Sequence, residues 1–267
     1  MTLRLAPLLF VLLTLAACNQ REAPAPAPAA TEAAATATPA PADAAVPAAD
    51  LPTAPAAPAG PIVPPSGPAP VPGVDYAEIA GGEPYQPTDG KIEVAEVFSY
   101  TCGGCASFEP MLVAWKAKLP ADVTLVPVAG PFGANPIPFA KAYYTAQTMG
   151  LLDKTHEAMF RAVHIERSVP VQNVTPEQIG AFYAKYGANP QQFASTMSSF
   201  AIDAKLKRGV QFMQRSGVES TPTIVVNGKY RVTGKTFEDV LRITDHLVAQ
   251  ERAKSAAPAE PAAAAGG

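Results

Sequence analysis

Glu96-Val97-Phe98-Ser99-Tyr100-Thr101-Cys102-Gly103-Gly104-Cys105 is the stretch on which the fold turns. Just before it, Asp89-Gly90 is a turn signal, and Ile92-Glu-Val94-Ala-Glu-Val97-Phe98 is a β-branched and apolar run of the kind that forms a buried strand. Just after it, Cys102 opens a helical pattern carried by Phe108, Met111, Leu112 and Trp115 and reaching Lys118. Two cysteines separated by two residues therefore stand where a strand end feeds a helix N-terminus. Val123-Thr-Leu-Val-Pro-Val128 reads as a second strand, and the helix between the two makes a β-α-β unit with a parallel pair.

Further along, residues 135–217 show helical periodicity interrupted by stop and capping signals, among them Gly150, Gly187 and Asn189-Pro190. Thr175-Pro-Glu-Gln178 has the form of a capping box with proline at the first helical position. Four or five helices are expected there, with Met149, Met159, Tyr143, Tyr144, Phe160, Phe182 and Tyr183 as their core rather than a cofactor box. Strand chemistry returns at Thr223-Ile-Val-Val226, turns at Asn227-Gly228 and continues through Lys229-Tyr-Arg-Val232. A last amphipathic helix is expected from about Thr236 to Ala253. This order defines an α/β chain with a thioredoxin fold and a helical subdomain inserted after its second strand, at about 135–217.

The ends behave differently. Arg4, an apolar run from Leu5 to Leu15 and then Ala16-Ala17-Cys18 have the form of an export signal. The run is too short to cross a bilayer, which takes roughly 20 apolar residues, and no later segment meets that requirement. Leu15-Ala16-Ala17-Cys18 resembles a bacterial lipobox, which implies a signal peptide over 1–18 and acylation of Cys18. Two or three acyl chains anchor a protein stably where one is marginal. Residues 19–73 are nearly all Ala and Pro, with no aromatic side chain, and are expected to form a disordered linker with polyproline bias. Residues 255–267 read as a second low-complexity tail. The folded domain is thus expected over 74–254, where charges balance at 18 of each sign, leaving no basic excess for nucleic acid.

Only Cys102 and Cys105 remain for chemistry in that domain. Unpaired backbone N–H groups and the dipole at a helix N-terminus stabilise a thiolate, so the Cys102 pKa should fall below the free value of about 8.5. Such a sulfur attacks well and leaves well, the two properties a disulfide carrier needs. Two other roles stay open. A structural disulfide closing so small a loop adds little stability, and a zinc or copper site wants about four ligands, which no second cysteine pair supplies. His156, His164 and His246 have no ligand spacing to the cysteines, and the first two are read as surface or packing residues. No metal is expected, and no cofactor beyond the redox-active disulfide itself.

The run from Glu96 to Cys105, with its acidic residue six positions before the first cysteine, resembles the DsbA-like periplasmic oxidoreductases. Gly217-Val-Glu-Ser-Thr221-Pro222-Thr-Ile-Val-Val-Asn227-Gly228-Lys-Tyr230 is similar to that family's cis-proline segment and following hairpin, and Pro110 stands where thioredoxins carry a helix-kinking proline. The resemblance covers roughly Tyr76 to Val248. It implies that Cys102 is the exposed nucleophile, Cys105 the buried resolving thiol and Glu96 a proton-exchange partner of Cys105. It also implies a cis Pro222, with Thr221 facing the sulfurs and offering backbone groups to an extended substrate.

The resemblance further implies an oxidase of the periplasm, lipid-anchored to the outer or inner membrane, monomeric, that passes its disulfide to reduced exported proteins and is recharged by a membrane partner of DsbB type. The sequence departs from the best-known members at Gly103-Gly104, where no histidine supports the thiolate. A reductase or isomerase is the alternative within redox chemistry. A non-enzymatic envelope lipoprotein that binds unfolded peptides is the alternative outside it.

Overall fold

A computed structural model describes residues 60–256. The expected signal peptide, Cys18, the first part of the linker and the end of the tail lie outside the described residues.

Among the described residues the chain forms five strands and seven helices. In chain order they are β1 (Tyr76–Glu78), β2 (Ile92–Phe98), α1 (Gly103–Lys116), β3 (Val123–Ala129), α2 (Pro136–Thr148) and α3 (Leu152–His164). There follow α4 (Pro176–Ala184), α5 (Pro190–Met197), α6 (Phe200–Arg215), β4 (Thr223–Val226), β5 (Tyr230–Val232) and α7 (Phe237–Ala256). The strands form one mixed sheet in the order β1-β5-β4-β2-β3. The expected parallel pair runs in register from Ile92 opposite Val123 to Phe98 opposite Ala129. Pro127 is accommodated because β3 is an edge strand, where a missing donor costs no ladder bond.

β2 is buried along its whole length because both of its faces are covered. Ile92 and Val94 share a core with Phe108 and Leu112 of α1 and with Ile243 and Leu247 of α7. On the opposite face Ala95 and Val97 meet Phe212 and Met213 of α6. Phe98, at the strand end, passes into the core of the inserted helices beside Tyr143, Tyr144 and Phe160. This is why the strand reads as an unbroken apolar run rather than an alternating one.

Local signals place the boundaries. In the capping box the Thr175 hydroxyl accepts from Gln178 N at 3.3 Å, and Thr175 N donates to Gln178 Oε1 at 2.9 Å. Asn227 and Gly228 both have positive φ, 51° and 66°, the backbone that a two-residue hairpin turn requires. The fold is the expected thioredoxin fold with a helical insertion, and all five inserted helices lie between Pro136 and Arg215.

Two boundaries differ from expectation. Residues 60–73, read as linker, lie along the domain: Gly60 N donates to Leu119 O at 2.8 Å, Arg242 donates to the carbonyl of Pro68, and Val71 N donates to Asp75 Oδ2 at 2.8 Å. A proline-rich segment has few donors and no core of its own, yet its free carbonyls can be satisfied by an existing surface. Contact with the domain therefore reaches back at least to Gly60 rather than starting at Val74. It continues into β1, a three-residue strand on β5 too short to show periodicity, held by Tyr76 edge-on to Tyr230 at 5.6 Å. α7 also extends to Ala256, past the expected tail start at Ser255. No helix among the described residues is long and apolar enough to cross a membrane.

Candidate active site

β2 and β4 are antiparallel neighbours, so the C-terminal end of one lies beside the N-terminal start of the other. Cys102 follows the first end by four residues, and Pro222 directly precedes the second. The sheet thereby brings together two segments far apart in sequence. The Thr221–Pro222 peptide is cis, and the Cys102 thiol donates to the Thr221 carbonyl at 3.3 Å. The turn leading to Cys102 is fixed by Cys102 N donating to Ser99 O at 3.1 Å and by the Thr101 hydroxyl donating to Phe132 O at 3.2 Å.

Cys102 is the N-cap of α1, and its sulfur accepts from Cys105 N at 3.3 Å. That hydrogen bond meets one of the donors a helix start leaves without an intrahelical partner. The hydrogen bond from the Cys105 thiol acts most strongly on Cys102, and with the Thr221 side chain and the backbone N–H groups of Cys105 and Gly104 it outweighs partial burial. Together they bring the Cys102 thiol down to about 5. Cys105 moves the other way: donating to Cys102 and being fully buried push its thiol above the ordinary range. Both sulfurs are free thiols here, one accessible and the other enclosed.

Glu96 is 1% exposed on the α1-facing side of β2, and neither of its oxygens has a hydrogen-bond partner among the described residues. Burial, then the negative charges of Glu109 and the Cys102 thiolate, hold its carboxyl well above the usual range. Glu93, three residues earlier on the opposite face, shows the contrast. It is equally buried but accepts from Tyr85 N at 2.6 Å and Gln86 N at 3.1 Å.

Glu96 has two neighbours whose place beside it the sequence reading did not give. Glu109 of α1 is pushed up to about 7 by burial and by the charge of Glu157. His156 of α3 lies with Nε2 3.6 Å from Glu109 Oε1 and Nδ1 2.8 Å from the Tyr100 hydroxyl. Of the two readings given it, surface or packing, His156 takes the second: half-buried, it packs against Phe98, Tyr143 and Phe160 at ring distances of 4.9, 5.7 and 5.4 Å. A signal existed for both. Glu109 completes the buried stripe Cys105, Phe108, Leu112, and His156 precedes Met159, Phe160 and Val163 at helical spacing.

Beside Pro222, Phe108, Ile224, Phe237 and Val240 line a largely apolar cavity of about 360 Å³. The four residues Cys102, Cys105, Thr221 and Pro222 thus form one site, Glu96 lies beneath it on the strand that leads to it, and Cys18 is outside the described residues.

Known proteins resemble the chain in sequence and in fold. A family model described as thioredoxin (Thioredoxin_4) matches residues 87–246. The thiol:disulfide interchange protein DsbA of Pseudomonas aeruginosa is 37% identical over 185 residues, which are 68% of this chain and 85% of that protein. Among solved structures, oxidoreductase DsbA from Xylella fastidiosa is 46% identical with a TM-score of 0.67, covering 69% of this chain and 98% of that one. The crystal structure of Pseudomonas aeruginosa DsbA is 35% identical with a TM-score of 0.63, over 69% and 96% of the two chains.

Proposed function

The chain belongs to the DsbA family of thiol:disulfide interchange proteins, and from that premise we propose that it is a periplasmic oxidase that introduces disulfides into exported proteins through Cys102 and Cys105. As a member it is a thiol:disulfide oxidoreductase; the direction of exchange and the role of each residue are this reading's own. The observation that carries it is the asymmetry of the pair: an accessible sulfur held near pKa 5 at a helix start, and a buried one held high.

The chemistry follows from that asymmetry. In the oxidised form a substrate thiolate attacks Cys102 Sγ, forming a mixed disulfide, and the Cys102–Cys105 bond breaks with its electron pair on Cys105. Because Cys105 is buried and its thiolate disfavoured, that sulfur takes up a proton, and in this reading Glu96, buried on the strand that leads to the site, supplies it. A second substrate thiolate then attacks the substrate sulfur of the mixed disulfide, and Cys102 leaves as a stabilised thiolate. The substrate is oxidised by two electrons and the enzyme reduced by two. A low pKa on the leaving sulfur favours this direction.

Thr221 and Pro222 provide the substrate platform. The Thr221 carbonyl, next to Cys102, is available to the backbone of an extended peptide, and the apolar cavity beside Pro222 accommodates its side chains. Acylated Cys18 would anchor the domain to a membrane through the Ala/Pro-rich segment, with a DsbB-type membrane protein as recharging partner, and the protein would act as a monomer. The direct test is to mix oxidised protein with a reduced two-cysteine peptide at pH 7 and follow peptide disulfide formation. One peptide disulfide per chain supports the oxidase. Failure to oxidise the peptide, with insulin reduction intact, would reassign the protein as a reductase.

A further inference from the structure

Glu96, Glu109 and His156 come from three different elements, yet their ligand atoms all lie within 4.8 Å of one another. Glu96 leaves both oxygens without a protein partner and Glu109 leaves Oε2 so, among the described residues. A buried polar atom left unpaired costs about 1–3 kcal/mol. Glu93 shows that this chain satisfies a buried carboxylate with backbone N–H groups elsewhere. Glu96 is aimed instead at another carboxylate and an imidazole.

We propose that Glu96, Glu109 and His156 Nε2 form a binding site for a divalent zinc ion.

The donor set fits. Two carboxylates carry two negative charges that one divalent cation neutralises, which removes the obstacle to ionising both in a buried place. One imidazole and two carboxylates, with no thiolate, suit a borderline cation such as Zn2+ rather than a soft one. Three protein ligands with an open position is the common plan of non-structural zinc sites. Zinc bonds of about 2.0–2.2 Å put tetrahedral ligands roughly 3.4 Å apart, and His156 Nε2 and Glu109 Oε1 already stand at 3.6 Å.

The surroundings fit as well. Ligating histidines are usually oriented through their second ring nitrogen, and Nδ1 of His156 meets the Tyr100 hydroxyl at 2.8 Å while aromatic rings hold the plane. A cavity of about 240 Å³ is lined by all three residues and by the exposed Lys116, Asp153 and Glu157. It has room for a water as a further ligand. Zinc bound there would hold Glu96 as a carboxylate and slow disulfide exchange; that consequence rests on the proton role proposed above, whereas the site itself does not.

The test uses the oxidised full-length chain carrying Cys18→Ser, so that with the Cys102–Cys105 disulfide formed no free thiol is left to bind the metal. Calorimetric titration with zinc chloride should show one ion per chain, with affinity falling at least tenfold in His156→Phe, which keeps a ring in the aromatic cluster, and in Glu109→Gln. Titration with Co2+ should give visible d–d bands without a thiolate charge-transfer band. Near-ultraviolet circular dichroism confirms that each variant is folded, and if one is not, the other decides. No binding to the oxidised chain, binding unchanged in the folded variants, or a thiolate band would overturn the site. Disulfide transfer measured in a chelator stands apart from all of these outcomes, so the proposed oxidase activity survives if the zinc site fails.

Discussion

The Cys102 sulfur and the Thr221 carbonyl oxygen lie 3.3 Å apart although 119 positions separate them in the chain. The antiparallel pairing of β2 with β4 produces this closeness by placing the end of one strand beside the start of the other. A substrate sulfur joined to Cys102 would therefore sit next to a half-buried backbone acceptor, while Cys105 remains enclosed at 0% exposure.

The first prediction follows from that difference in access. In a Cys105→Ala variant, Cys102 should accumulate mixed disulfides with reduced envelope proteins, detectable by non-reducing electrophoresis and mass spectrometry. A Cys102→Ala variant should trap none. Trapping through Cys105 instead would reverse the two roles.

Glu96→Gln tests the buried carboxyl. The folded-state pKa of Glu96 is raised above its unfolded value, so its contribution to stability is greatest below about pH 4.5 and is lost as pH rises through the folded value. The amide does not titrate. The variant should therefore gain thermal stability relative to the wild type as pH increases from 4 to 8. Formation of the mixed disulfide, the step in which Cys105 leaves and takes up a proton, should slow by about a hundredfold or more, as expected when a general acid is lost. Thermal melts from pH 4 to 8 and stopped-flow exchange give the two readings, and wild-type exchange rates would remove Glu96 from the proton path.

What the sequence made legible was what it encoded locally. The apolar run into Cys102, the helical pattern after it and Asn227-Gly228 each carry their own periodicity or turn chemistry, so the thioredoxin order could be read from them. Glu96 stood out as a charge within a strand that had no polar face. Glu109 and His156 did not, because each is one polar residue in an otherwise apolar helical stripe, and only the packing of α1 and α3 against β2 brings them to Glu96. Residues 60–73 were misread for a related reason: their order comes from contacts with Leu119, Asp75 and Arg242, not from any pattern of their own.

Glu251 provides a structural control far from the thiols. It is 1% exposed in α7 and accepts from Asn227 Nδ2 at 2.8 Å, Lys229 Nζ at 2.6 Å and the Tyr230 hydroxyl at 3.0 Å. Burial pushes its pKa up, but these hydrogen bonds, led by that of Lys229, outweigh it and hold the carboxyl at about 2. A lowered folded pKa gives stability that is present above the unfolded value and lost as pH falls through the folded one. Glu251→Gln should cost about 1–3 kcal/mol at neutral pH. The gap to the wild type should close between about pH 4.5 and 2. Because the hairpin turn lies at the opposite end of β4 from Pro222, peptide oxidation should be unchanged. A constant gap across the acid range would mean the carboxylate charge contributes nothing.

The last prediction concerns redox poise. Oxidising power in a dithiol carrier reflects how far the reduced state, chiefly the Cys102 thiolate, is stabilised relative to the disulfide. Here the hydrogen bonds of the Cys105 thiol, the Thr221 segment and the helix start supply that stabilisation, and Gly103-Gly104 contributes no side chain. Replacing the pair with Pro-His should add an imidazole beside the sulfur. The two positions differ in what they tolerate. Nothing lies within 4 Å of a Cβ at residue 103, which is also the first helical position and suits proline. A Cβ at residue 104 would stand 3.3 Å from Pro222 Cδ and 3.6 Å from Cys102 Sγ, so the cis-proline loop must yield by a few tenths of an ångström. The imidazole would then project from a position already against the sulfur. One added hydrogen bond to a charged group contributes roughly 1.5–3 kcal/mol, which for a two-electron couple is about 30–60 mV. The Pro-His variant should therefore show a lower Cys102 pKa, read from thiolate absorbance against pH, together with a potential raised by that amount against glutathione. Gly104→Ala carries the steric change without the imidazole and should leave the potential near that of the wild type. If the alanine variant moved the potential as far as Pro-His, loop displacement rather than thiolate stabilisation would be the tuning element.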